Sequence, residues 1–298
     1  MLPLETGFMS TYVNWASMRN DGFEVALTTR NINRNGFTWF TNFNLGYNQN
    51  KVLRETVPSN QTTPGREGYP VGALFAYKSA GLDDEGYPLF YNKEGEKVTA
   101  VELLKLNSAG ASTLSAEEQR NLYSYIGSSD PLFSGGFVNT FNIKRFEVVV
   151  NFIFNLKMYS RVAPSYTLTS FDRGMNTNRD ILNRWTPTNT NTDFPALLSD
   201  TKRTAEYSHY DIFSTYQMMD TWVKRSDHVR LQNIRVGYKL PETLMHTLGI
   251  RSATVALEGR NLFVFGANYK NFLDPETMSN QFAQPIPKSF TFSLNMNF

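Results

Sequence analysis

His209, His228 and His246 are the residues best suited to acid–base or metal chemistry, and their spacing spoils both. No two form an HxxxH pair, the spacing that sets two imidazoles on one helix face around zinc. Cysteine is absent, which removes thiolate metal sites and any disulfide framework. No GxSxG nucleophile elbow, P-loop or GxGxxG phosphate turn occurs. The segment Asn92-Lys93-Glu94-Gly95-Glu96 places a lysine where a calcium loop needs oxygen, and Asp83-Asp84-Glu85-Gly86 lacks alternating ligand spacing. Both read as solvated turns. The residues therefore point to no enzyme, no cofactor and no metal. What remains is ring chemistry: Tyr166, Phe171, Trp185, Tyr207 and Tyr210 lie in long polar segments and can stack on sugar rings or line a protein contact. Rings in such segments can equally pack against one another.

The elements that must carry these segments are strands. From Ser289 to Phe298 the chain alternates, with Phe290, Phe292, Leu294, Met296 and Phe298 on one face. Ser289, Thr291, Ser293, Asn295 and Asn297 occupy the other. A period of two with one wholly apolar face is a strand between two different media. The same pattern recurs in roughly seven strands. The first is expected over Ser10 to Arg30, the second over Phe37 to Asn48, the third over Phe137 to Ile143 and the fourth over Phe146 to Lys157. The fifth covers Asp227 to Lys239, with a phase shift near Gln232 that suggests a bulge. The sixth runs from Ala253 to Phe263, and the terminal strand is the seventh. Composition agrees: aromatic residues reach 14% while mean hydropathy is −0.39, as expected when only every second residue meets lipid. No uncharged apolar run is long enough for a membrane helix. A net charge of +2 gives no reason to expect nucleic acid.

Connections alternate between short and long. Short ones are expected at Asn31–Gly36, Lys144–Arg145 and Leu240–Arg251. Long ones fall at about Lys51–Ser134, Ser160–Ser226 and Val264–Pro287. In an outer-membrane barrel the short turns face the periplasm and the long loops face outward. The fold expected is all-β: part of an antiparallel transmembrane β-barrel, facing outer-membrane lipid outside and a polar lumen inside. Asn44, Asn151 and Arg260 fall on the lumen side, where they can line a permeation path. Trp39, Phe146, Tyr238 and Phe298 lie toward the periplasm as an aromatic girdle. Within the loops, Ser115-Ala116-Glu117-Glu118 matches a capping box, and Leu122 and Ile126 extend the expected helix.

Several segments in order resemble the C-terminal portion of SusC/RagA-type TonB-dependent outer-membrane transporters of Bacteroidota. Leu2-Pro3 with Gly7, Asn14 and Asn20-Asp21-Gly22-Phe23-Glu24 resemble that family's LP-x-x-(S/T)-G and N-x-G-x-E segments. Gly127-Ser128-Ser129-Asp130-Pro131, Gly135-Gly136-Phe137 and Lys144-x-Phe146 resemble its glycine-rich hairpin. Arg184-Trp185-Thr186-Pro187 with Thr192-Asp193 and Pro195 is similar to an extracellular loop. Ser226-Asp227-His228-Val229-Arg230-Leu231-Gln232-Asn233-Ile234, then Gly237-Tyr238-Lys239-Leu240-Pro241, is the most specific stretch. Gly259-Arg260-Asn261-Leu262-Phe263 and Asp274-Pro275-Glu276 follow it.

The resemblance implies a barrel of about 22 strands closed by an N-terminal plug, to which the lumen-facing Asn44, Asn151 and Arg260 can equally bond. It implies energy delivered by TonB through that plug and a SusD-like lipoprotein lid. The expected ligand is an oligosaccharide or a peptide. Residues 1–298 are then expected to be barrel only, without plug or signal peptide. Phe298 resembles the terminal aromatic read by the barrel assembly machinery. Two other readings stay open from the residues: a surface binding or adhesion barrel, and a porin-like channel.

Overall fold

The computed structural model describes residues 16–164, 179–197, 212–247, 249–266, 274–280 and 283–298. The wall begins with β1 (Ser17–Arg34) and β2 (Phe37–Arg54). The first long loop then makes β3 (Ala73–Ala76), β4 (Ser79–Leu82), β5 (Pro88–Tyr91) and β6 (Lys97–Thr99). It continues through α1 (Ala100–Leu104), α2 (Ala116–Arg120) and β7 (Ser124–Ser128). β8 (Phe133–Ile143) and β9 (Phe146–Leu156) return to the wall. The second long loop contributes β10 (Tyr159–Arg161), a helix at Ile212–Tyr216 and β11 (Val223–Arg225). β12 (His228–Lys239), β13 (Ser252–Phe265) and β14 (Ser289–Asn297) complete the set.

Seven strands form one sheet in the order β1-β2-β8-β9-β12-β13-β14, every neighbour antiparallel. These are the seven wall strands expected from alternation; residues 10–15 of the first lie outside the described residues. The register decides the faces. Phe43, Phe137, Phe152, Leu231 and Phe263 sit side by side across five strands, and so do Trp39, Phe141, Val148, Val236, Leu257 and Phe292 across six. The opposite face carries the row Thr28, Asn42, Val138, Asn151, Asn233, Arg260 and Ser289. One face is thus almost wholly apolar and the other mostly polar, the pattern of a barrel wall between lipid and an aqueous lumen. The apolar face is uncovered: Phe290 is 72% exposed and Phe292 70%.

Local chemistry sets the register. At the β1–β2 hairpin, Asn35 and Gly36 both take positive φ (44° and 75°), as a two-residue primed turn requires. The phase shift expected near Gln232 is a register shift between Leu231 and Asn233, seen against both β9 and β13. It keeps Leu231 and Ile234 on one face although two residues lie between them, a spacing that would put them on opposite faces of a regular strand.

The packed interior lies in the loops. Tyr77, Phe90, Leu103, Phe213, Tyr216 and Trp222 form its centre. Backbone bonds join the first two loops: Tyr77 N–H donates to Met218 O at 2.9 Å and Asp220 N–H to Tyr77 O at 2.9 Å. Asp220 Oδ1 also accepts from Ser79 N–H at 3.0 Å.

Two expectations change. The Ser115 capping box forms, but its helix ends at Arg120. Ile126 instead lies in β7, paired with β3, because Tyr125-Ile126 favours a half-buried strand. The short connection at 240–251 holds a helix, Glu242–Thr247, that buries Met245.

Candidate ligand-facing site at the outer mouth

The polar face of the wall meets the loop body at the outer ends of β9, β12 and β13. His228 and Arg230 lie there on the lumen side, opposite Asn155 and Ile153. Arg230 is 1% exposed, and two carboxylates from the third long loop satisfy it. Its Nε donates to Glu276 Oε1 at 2.7 Å and its Nη2 donates to Asp274. Asp274 also organises its own loop, accepting from Glu276 N–H at 3.0 Å. The Nδ1 of His228 lies 2.9 Å from Ser226 O, so it carries the proton. Its Nε2 stands 3.3 Å from Glu276 Oε1 without the alignment of a hydrogen bond. The third loop is therefore clamped onto the lumen face by a buried cation.

Above this clamp a cleft of about 550 Å³ opens between the loops, with Arg161, Met218 and Glu276 in its walls. A second, of about 350 Å³, adjoins it and shares Leu74, Arg161 and Met218. Arg161 Nη1 donates to Gln217 O at 3.2 Å, and Nη2 donates to Phe75 O. Burial pulls this guanidinium below its ordinary range, and nearby Tyr123 opposes the shift. Burial pushes the Tyr123 hydroxyl up. At the far end Glu55 and Arg66 pair closely, Arg66 Nη2 to Glu55 Oε1 at 2.6 Å. The Arg66 hydrogen bond holds the Glu55 carboxyl below its usual range, against a smaller upward push from burial.

The lumen side has a hollow of its own, about 400 Å³, where Asn44, Asn151, Thr28 and Asn42 stand around Gly136. A Cβ on Gly136 would lie 2.7 Å from Phe152 O, and one on Gly135 2.2 Å from Asn44 O. Asn44 and Asn151 share this hollow. Arg260 is on the same face two strands beyond Asn151, paired with Glu258 at 2.6 Å.

Trp185 lies over Gly86, where an added Cβ would meet its ring at 2.5 Å, so it joins the two loops. Tyr166, Phe171, Tyr207 and Tyr210 lie outside the described residues. Phe298 stands 77% exposed on the apolar side, next to the last wall strand. Sequence reasoning singled out neither Arg161 nor the clamp. Ser226–Ile234 and Asp274–Glu276 stood out separately as segments, but their contact joins residues 44 to 46 apart. Arg161 sits in Tyr159-Ser160-Arg161-Val162, which carries no signal of its own.

No family model matches the chain. Curated relatives do. TonB-dependent receptor P3 of Formosa agariphila is 29% identical over 325 residues, covering 100% of this chain and 30% of the relative. TonB-dependent receptor P26 of the same organism is 26% identical, covering 100% of this chain and 31% of the relative. The chain thus spans about three tenths of the length of the curated relatives it matches. Among solved structures, the RagAB peptide importer in an open-open state superposes with a TM-score of 0.71 at 22% identity, over 100% of this chain and 30% of that one. That likeness carries the fold. The chain is homologous along its length to TonB-dependent receptors, and its seven-stranded sheet is part of the wall of an outer-membrane β-barrel.

Proposed function

We propose that this chain forms part of a transporter that is energised through TonB and imports oligosaccharides or peptides beneath a SusD-like lipoprotein lid. One observation carries the reading: a two-faced wall ends, on its outer side, in a folded loop body with clefts next to the lumen face. Long outer loops are common to outer-membrane barrels, but a pore does not require them to pack into a common core with clefts, whereas a receptor needs a built outer surface. In this reading Asn44, Asn151 and Arg260 line the path or bond the plug. Tyr166, Phe171, Trp185, Tyr207 and Tyr210 are the candidates for ligand or lid contact, with one side of the Trp185 ring packed against Gly86. Phe298 is the ring read by the assembly machinery.

The test uses the full-length receptor. Isolated from outer membranes, it should carry a lipoprotein with it. Cells bearing it should grow on a peptide or oligosaccharide mixture as sole carbon source, and lose that growth when TonB is removed. A receptor that purifies alone, with growth indifferent to TonB, contradicts the proposal.

A further inference from the structure

Arg161 stands where the two outer clefts meet. Arg120 and Arg184 also donate to backbone carbonyls, of Gln61 and Ile181, but neither lines these clefts. Arg66, Arg225 and Arg230 each have a carboxylate partner. Among the described residues Arg161 has none; its bonds go to the carbonyls of Phe75 and Gln217. A guanidinium has five N–H donors, and a cation drawn from water with only neutral acceptors is under-compensated. The depressed affinity of this group for its proton reports the same lack.

The walls narrow the choice of anion. Leu74, Met158, Val162, Pro164, Met218 and Pro275 line the larger cleft, and no aromatic ring is among its described lining residues. Sugar rings are held by stacking on aromatic faces, which the described lining of this larger cleft does not offer, whereas aliphatic side chains bury well against methionine and proline. Glu276 gives the same cleft a negative group, one oxygen of which is bound by Arg230. The cleft thus presents a cation, an anion and an aliphatic wall.

We propose that Arg161 receives the carboxylate of a short aliphatic peptide in this cleft. The inference rests on the import reading and sharpens it to one ligand class.

The test is titration calorimetry on the full-length receptor purified with its partner. The probes are a defined pool of aliphatic pentapeptides prepared as free acids, the same pool as C-terminal amides, and trigalacturonate as a carboxylate borne on sugar. The acids should bind about tenfold or more tighter than the amides, the range for a charge-assisted bond. Arg161→Gln should erase that preference and Arg161→Lys should recover part of it. Acids and amides binding alike in the wild type would overturn the proposal, and that comparison needs no variant to fold. So would absence of peptide binding, an acid preference that survives in R161Q, or trigalacturonate binding better than the peptides. Acids and amides binding alike in the wild type while growth still depends on TonB removes only the Arg161 assignment; growth indifferent to TonB removes the import reading itself.

Discussion

The clamp on the third outer loop invites a direct perturbation, Arg230→Met. The substitution keeps much of the side chain's length and apolar stem but removes the charge. Asp274 and Glu276 are then left side by side, with Asp274 nearly buried and no cation between them. Removing one partner of a buried ion pair costs about 3–5 kcal/mol, because the remaining charge stays desolvated. The loop can escape by lifting into water, so the cost should appear as easier local opening rather than loss of the wall. A change of about 3–5 kcal/mol raises the open population by about two to four orders of magnitude. Hydrogen exchange reads this at two amides: Glu276 N–H, bonded to Asp274 Oδ1 at 3.0 Å, and Thr277 N–H, bonded to Asp274 O at 2.9 Å. Both should exchange at least about a hundredfold faster in the variant, while amides of β9 within the sheet keep their protection. Exposed pairs set the scale for comparison, since Arg19 and Asp21 are mostly solvated and their loss should change stability by less than about 1 kcal/mol. Unchanged exchange at Glu276 and Thr277 would refute the reasoning, as would equal loss of protection throughout β9.

Three further outcomes follow from the geometry. Gly135→Ala drives a Cβ to within 2.2 Å of Asn44 O, a backbone atom, so the β2–β8 pairing must shift; a cost of about 1–3 kcal/mol should show as a lower temperature for loss of the compact, heat-modifiable band. Gly86 holds a φ of 86° beneath the ring of Trp185, so Gly86→Ala should displace the indole and red-shift its emission, with the wall strands unaffected. Because the folded-state pKa of Glu55 is lowered, its pairing with Arg66 stabilises the loop above the ordinary glutamate range and is lost as pH falls through the lowered value. Loop opening followed by proteolysis should therefore rise below about pH 4 in the wild type, and Glu55→Gln should flatten that acid dependence.

How much of this was legible depended on the range of the interactions. A two-residue period is local, so the alternation in Phe146–Leu156 or Ser289–Asn297 revealed strand, face and lumen side together. Even the bulge at Gln232 could be read, because a phase slip in the apolar set is also local. The loop interior could not. Tyr77 meets Met218 and Asp220 from more than a hundred residues away, and nothing in either segment announces the other. The capping box at Thr99 and Glu102, which starts α1, was present in the sequence and went unread, while the box at Ser115 overstated its helix because the tertiary pairing of β7 wins after Arg120. Arg161 illustrates the limit most plainly. The role proposed for it rests on what surrounds it and on the want of a carboxylate partner among the described residues, and a sequence records neither.

The central claim is that one face of this sheet meets lipid and the other water. These 298 residues contain no cysteine, so single cysteines can be placed along β14, one at a time, from position 289 to 297, in a full-length receptor whose other cysteines, where present, are replaced by serine. Each is labelled in outer-membrane vesicles with a fluorophore and tested with a lipid-borne quencher and a water-soluble one. The account predicts alternation: positions 290, 292, 294 and 296 quenched from lipid, and 289, 291, 293, 295 and 297 reached from water. Uniform access along the strand, or alternation of the opposite phase, would contradict it.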